Sequence, residues 1–269
     1  MTEVVLTPNT EIDIKIEADV IKPDEFAGKS KEEIEQLIVW QGPDQLPLKN
    51  FFDVKGQGGS SAEETSIVIK GDVTRVKMIG AEMTAGKIII QGSTGLKVGA
   101  EMKGGEIVVE GDADSWAGTE MKGGLLHVKG NTVDHLGCAY RGSWKGMTGG
   151  RIVVDGNAQS QIGGGLTGGE IIVNGNAENF CGIRQSGGLI VIRGNAIRAI
   201  GAEMSGGTIV VEGHITNFTP GMQYEDEQYD LCFEDIECGG VFKKFTGDFA
   251  ISKKPKGVLY AGKEANLEL

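Results

Sequence analysis

The chain has 269 residues, 44 of them glycine against 6 proline, with a hydrophobic share of 39%, an aromatic share of 6% and a formal charge of −12. The apolar share supports a core and excludes a disordered chain, and the glycines lack the every-third spacing of collagen. The acidic balance, with no basic run, excludes nucleic acid as a partner, no stretch nears the ~18 apolar residues of a membrane span, and Met1 to Val20 lacks a signal peptide's basic start and apolar run, so a cytoplasmic protein without membrane insertion is expected.

Near the start, Ile12, Ile14 and Ile16 alternate with Asp13, Lys15 and Glu17, the period-two pattern of a strand. Ser30 and Glu33 have capping-box spacing ahead of Ile34, Leu37 and Ile38 at helical spacing. Residues 1–55 are expected to form a small N-terminal strand-plus-helix cap.

From Gly80 the sequence repeats. Segments 80–92, 99–111, 118–130, 144–156, 163–175, 182–194 and 201–213 are seven copies of a 13-residue motif, GAEMKGGEIVVEG in the second, joined by six-residue links into a period of 19. A 7-residue insertion, Ala139 to Lys145, interrupts the series at the fourth copy. Counting places from the first residue of each motif, places 9 and 11 are aliphatic throughout, as in Ile107 and Val109 or Ile152 and Val154, which buries one face of a strand. Place 4 adds Met83, Met102, Met121, Met147, Leu166 and Met204, with Gln185 the exception, and place 19 adds Val98, Ala117, Leu136, Ile162, Cys181 and Ile200. Glycine holds places 7 and 13, where tight turns are expected, and place 14 is rich in Asn and Asp, which tolerate left-handed backbone and can bond their counterparts one coil away. Three apolar walls around one axis predict an all-β protein, a right-handed parallel β-helix of 19-residue coils over residues 56–250, with 251–269 as a C-terminal tail.

Two features point to partners. Place 10, on the outward face of the main strands, should be polar but reads Ile89, Val108, Val153, Ile172, Val191 and Val210, broken by His127, so other subunits or the N-terminal cap are expected to cover it. The interruptions of the repeat are expected to be docking elements: the Ala139 to Lys145 insertion brings Tyr140, Arg141 and Trp144, and an acidic insertion, Tyr224 to Glu237, sets Tyr224, Tyr229 and Phe233 among carboxylates ahead of a degenerate last coil around Gly239, Gly240 and Phe242.

Catalytic chemistry is not written in the chain. His127, His135 and His214 sit at different places of the repeat, Cys138, Cys181, Cys232 and Cys238 lack metal-ligand spacing, and no phosphate-loop motif occurs, so no catalytic, cofactor or metal residue is assigned. One column is charged: Glu82, Glu101 and Glu120 share place 3 on consecutive coils, and neutralisation by Lys103 and Lys122 is preferred over a bound cation.

The motif series over Gly80 to Gly213, with its methionine column, and the segment IVWQGPDQLPLKNFFDV resemble the C subunit of formylmethanofuran dehydrogenase; the C subunit of the formyltransferase/hydrolase complex and the β-helix of the glutamate synthase large subunit are more distant likenesses. The resemblance implies a complex that reduces carbon dioxide with ferredoxin-level electrons and condenses the formate with methanofuran. Its tungsten- or molybdenum-pterin, iron-sulfur clusters and dinuclear metal site, expected to be zinc, would belong to other chains: an amidohydrolase-like A subunit, tungsten/molybdenum-pterin B and D subunits, and polyferredoxin-type iron-sulfur subunits. This chain is expected to be a scaffold. The alternatives are a free-standing glycan-cleaving enzyme, separable by a glycan assay, a stand-alone glutamate synthase-like domain, separable by co-purification, and a subunit of a formyltransferase/hydrolase complex.

Overall fold

Branched aliphatic residues at alternate positions build one long sheet. A computed structural model describes residues 1–269. The sheet has thirteen strands, in chain order β1 (Thr2–Pro8), β2 (Phe52–Gly56), β3 (Thr65–Lys70), β4 (Lys87–Gln91), β5 (Glu106–Val109), β6 (Leu125–Val128), β7 (Arg151–Val154), β8 (Glu170–Val173), β9 (Ser186–Ile192), β10 (Gly206–Val211), β11 (Gln223–Phe233), β12 (Ile236–Gly247) and β13 (Gly257–Gly262). From β3 to β10 neighbours in sequence are parallel neighbours in space. Ile88 lies opposite Ile107, Ile107 opposite Leu126 and Ile171 opposite Ile190, each one 19-residue step on. Leu126 lies opposite Ile152, a step lengthened by the seven inserted residues.

Inside this sheet the expected walls close on one another. Places 9 and 11, the methionine column with Leu166 and Gln185, and place 19 are all buried. A fourth inner column joins them, one that residue type alone does not announce: Thr94, Ala113, Thr132, Ala158 and Ala177 bridge in parallel at place 15, with Val73 ahead of the first copy at their start, and the column continues into short strands at Ala196–Arg198 and Ile215–Asn217.

The corners differ from expectation in an instructive way. Place 7 is left-handed, with Gly169 at φ +81°, but place 13 is glycine because of crowding: a Cβ on Gly175 would stand 2.5 Å from the Gly156 carbonyl oxygen of the preceding step. Place 14 is not left-handed at all. Its side chains form a ladder in which the backbone N–H of Asn157 donates to Asn131 Oδ1 at 2.9 Å, that of Asn176 to Asn157 Oδ1 at 2.8 Å and that of Asn195 to Asn176 Oδ1 at 2.8 Å. Left-handed backbone falls instead on two columns of non-glycine residues, place 3 (Glu82, Glu101, Glu120, Arg184, Glu203) and place 18 (Lys97, Trp116, His135, Gln161, Phe180, Ala199).

Both ends are woven into the sheet. In the N-terminal region, β1 runs parallel to β3 and antiparallel to β2. The Ser30–Glu33 capping box forms, with Ser30 N–H donating to Glu33 Oε2 at 2.8 Å, but the helix spans only Lys31–Glu35 and Ile38 opens a strand, Ile38–Gln41, where β-branched Ile38 and Val39 precede a turn at Gly42 (φ +60°). Of the alternating isoleucines only Ile16 lies in a strand; Ile14 is exposed.

At the other end, residues 251–269 are no free tail, because β13 pairs in parallel with β10. Beyond it the buried Asn266 caps the place-15 column: its Oδ1 accepts from Ile215 N–H at 2.8 Å and its Nδ2 donates to the Gly213 and Gly262 carbonyls. The acidic segment is likewise no loop before a degenerate coil. It is the antiparallel hairpin β11–β12, which carries Gly239, Gly240 and Phe242 on its second strand. The hairpin pairs with β13 at its base and folds over the outward face, where Ile236, Cys238 and Phe242 pack on Leu189, Val191 and Val210. Asp235 at its tip takes a bidentate pair from Arg151, at 2.7 and 2.5 Å.

Candidate interaction surfaces

The residues expected at interfaces separate into three groups. On the outward face Val191 is fully covered by the chain's own hairpin and Ile172 packs against the same cluster, so the cover there is neither the N-terminal cap nor a partner. Val153, like Val108 and Ile89, lies beyond the tip of the hairpin and stays half-buried. On the hairpin, Tyr224 and Tyr229 are exposed, while Phe233 leans on Tyr260. The carboxylates around them are largely spent within the chain: Glu225 pairs with Lys244 at 2.7 Å, Glu227 with Lys263 at 2.8 Å, and Asp230 accepts from Gly240 N–H at 2.9 Å. Exposed pairs of this kind add little stability, but they remove most of the net field an acidic docking strand would need.

The third group comes together as a site. Gly137, with φ +65° and its N–H bonded to the Ala117 carbonyl, fills the first place of the fourth step, where Trp144 was expected. The Ala139 to Lys145 insertion therefore leaves the stack after Cys138 and rejoins it at Gly146. Its Tyr140 backbone N–H donates to Glu120 Oε1 at 3.0 Å, and its ring extends a stack formed by Trp116 and His135, with centroids 4.1 Å apart within that pair and 6.0 Å from Trp116 to Tyr140. Lys97 Nζ lies 4.8 Å from the Tyr140 ring centre and the Arg184 guanidinium 5.0 Å from that of Trp144, both cation–π contacts. Arg141 is exposed, and Trp144 is 73% exposed.

Trp116, His135, Lys97 and Arg184 are absent from the sequence-based expectation for this site. The signal available in the sequence was place 18 read down the repeat, where Lys97, Trp116 and His135 follow one another at 19-residue steps. Burial lowers the His135 pKa, and its Nδ1 has no hydrogen-bond partner. Burial likewise raises the Tyr140 phenol, helped by Glu101 and Glu120.

The glutamate column is neutralised side by side: Lys103 reaches Glu82 at 3.4 Å, Lys122 reaches Glu101 at 3.0 Å, and Arg184 reaches Glu203 at 2.8 Å. Nowhere do three His, Cys, Asp or Glu side chains gather in a metal-ligand group. Cys138 and Cys181 are buried, with thiols pushed up to about 12 by desolvation, Cys238 is buried on the inner face of the hairpin, and Cys232 is exposed. His127 pairs with Asp155, and His214 with the Ala265 carbonyl.

The strand register and the buried columns define an all-β repeat protein, and its fold recurs in a solved complex. The crystal structure of the formyltransferase/hydrolase complex of Methylorubrum extorquens with methylofuran contains a chain that matches at a TM-score of 0.81, with 24% identity over 96% of this chain and 98% of that one. A scan against protein-family models finds no match. The C subunit of the molybdenum-containing formylmethanofuran dehydrogenase 1 of Methanosarcina barkeri is 74% identical over all 269 residues, covering 89% of that protein. The C subunit of the tungsten-containing formylmethanofuran dehydrogenase 2 of Methanothermobacter wolfeii is 45% identical over 98 residues, 36% of each chain. The chain belongs to the family of formylmethanofuran dehydrogenase C subunits.

Proposed function

We propose that the chain winds as a right-handed parallel β-helix and serves as a non-catalytic scaffold in a cytoplasmic formylmethanofuran dehydrogenase complex, where other subunits reduce carbon dioxide and condense the formate with methanofuran. The full-length 74% identity to the Methanosarcina barkeri protein carries this reading. The 19-residue parallel register supports the winding, and the right hand follows the crossover preference of parallel strands.

The molybdenum or tungsten named for the relatives, and the iron-sulfur and dinuclear centres expected beside it, do not fit residues of this chain. Its cysteines and histidines occupy separate columns and form no ligand group. Those centres are assigned to amidohydrolase-like, pterin-binding and polyferredoxin-type subunits. The chain's part is to hold them in register, through the Tyr140–Arg141–Trp144 loop, the uncovered outward face at Val153, and the Tyr224 and Tyr229 side of the hairpin.

The test is anaerobic purification through a tag on this chain, with subunits identified by mass spectrometry and metals measured per subunit. Co-purification of molybdenum- or tungsten-bearing chains supports the proposal. A stoichiometric metal in the isolated chain, or carbon dioxide reduction by it alone, would overturn it. The structural likeness to the Methylorubrum complex supports a second reading, assembly into a formyltransferase/hydrolase complex, which a complex free of molybdenum and tungsten would favour.

A further inference from the structure

The stack changes composition where the inserted loop lies on it. Place 3 is glutamate in four copies, but the fourth and fifth steps carry Gly146 and Gly165 there. A Cβ on Gly165 would stand 2.8 Å from the Trp144 carbonyl oxygen, so the absence of a side chain is what lets the loop settle back against the coil. Between loop and coil a cavity of about 360 Å³ opens, walled by Trp116, Tyr140, Trp144 and Ile183.

In a chain with 38 acidic residues, none lines this cavity; the charged side chains that do are Arg141 and Arg184. The nearby carboxylates are already engaged, Glu101 by Lys122, Glu203 by Arg184 and Glu120 by the Tyr140 N–H. Arg184 gives Nε to Glu203 and keeps its other N–H groups free to donate, and exposed Arg141 takes no part in the ion pairs around it. His135 lines the same cavity, with its partnerless Nδ1 buried behind the ring face. Cationic donors beside exposed aromatic faces are the chemistry of a carboxylate carried on an apolar neighbour.

We propose that this cavity docks an acidic segment of a neighbouring protein chain in the complex, with an Asp or Glu carboxylate held by Arg141 and Arg184 and an adjoining apolar side chain laid on Trp144. The inference deepens the scaffold reading and rests on it. A protein segment fits better than a free cofactor, because a small-molecule pocket buries most of its ligand whereas here the aromatic wall is open, with Trp144 73% exposed at the rim.

The experiment uses the whole complex, tagged on this chain, with a benzophenone photo-crosslinking residue in place of Trp144 and, separately, the variants Trp144→Ala and Arg141→Glu, whose own melting curves check folding. The crosslinked peptide is expected to come from a different protein of the complex and to contain Asp or Glu. Trp144→Ala should speed subunit loss about tenfold at every salt concentration. Arg141→Glu should do so at low salt, with the effect shrinking as salt screens the pair. Absence of a crosslink to a different protein, a crosslinked peptide without an acidic residue, or an Arg141→Glu complex as durable as wild type at low salt overturns the proposal. A wild-type chain that brings down no other protein would instead overturn the scaffold reading.

Discussion

Replacing Gly169 with alanine should destabilise the chain far more than the same change at Gly142, although both glycines are left-handed, at φ +81° and +90°. Left-handed backbone costs an L-residue about 1–2 kcal/mol. At Gly142 nothing lies within 4 Å of the added Cβ. At Gly169 it would meet the Gly150 carbonyl oxygen at 2.7 Å and the Gly149 carbonyl carbon at 2.9 Å, both backbone of the preceding step, besides Met147 Cε at 2.7 Å. The thioether can swing aside. The backbone can yield only by loosening the β7–β8 pairing that joins Arg151 to Glu170 and Ile152 to Ile171. Overpacking of this kind adds about 1–3 kcal/mol, so the expected losses are about 2–5 kcal/mol at Gly169 and about 1–2 at Gly142. Urea unfolding of the purified chain, followed by circular dichroism with the denaturant slope checked for constancy, measures both. In melting temperature the gap is on the order of 2–4 °C per kcal/mol. Equal losses would show that backbone conformation alone reserves this place for glycine, and the crowding argument would fail.

Removing the ladder acceptor in Asn157→Ala should cost about 1 kcal/mol, because the Asn176 N–H at this exposed corner can turn to water, and Asn157→Asp, which keeps Oδ1, should cost less; an alanine variant as stable as wild type refutes the ladder's contribution. Of the four cysteines only Cys232 should take up an alkylating reagent in the native chain, with all four reacting after unfolding, since Cys138, Cys181 and Cys238 are buried with raised thiol pKa values; intact-mass measurement showing a second native adduct contradicts this. In a Cys232→Ser background, Asp235→Asn should release the hairpin tip and speed modification of Cys238 on its inner face. Arg151 holds the Asp235 carboxyl below its ordinary 3.8, so the latch is complete above that pH and is lost as pH falls through the lowered value. Cys238 reactivity toward an acid-tolerant disulfide reagent should therefore rise in strong acid in the wild type and lose this dependence in Asp235→Asn.

Much of the stack was legible because its walls are written in residue type. Aliphatic residues at places 9 and 11, methionine at place 4 and Asn at place 14 each recur with the period, and each recurrence is one physical demand repeated step after step. What stayed hidden depends on non-repeating partners. The hairpin read as an acidic insertion because Glu225 finds Lys244 and Glu227 finds Lys263 only once the antiparallel register is set, and before that the carboxylates look unopposed. For the same reason the apolar place 10 looked like a surface awaiting a partner, when Ile236 and Phe242 cover its last rungs from within the chain. Left-handed columns at Glu101 or Trp116 run against residue preference and are imposed by the tight corner, so local sequence rules put the left-handed turns at place 14. Of the candidate site, Tyr140, Arg141 and Trp144 were visible as an interruption, whereas Trp116 and Arg184 join them only through the stacking of steps a full period or more away.

The two margins of the long sheet decide whether such a chain can polymerise. Parallel strands that repeat in register are the geometry of a fibril, and a bare terminal step would accept the first step of another copy without limit. At one margin β2 lies antiparallel on β1, reversing the hydrogen-bonding direction an incoming step would need. At the other, the β11–β12 hairpin bends away over the outward face and carries its last strand out of line with the stack. Growth is stopped by strand polarity at one margin and by direction at the other, so the column keeps a fixed length and behaves as a discrete part instead of a filament.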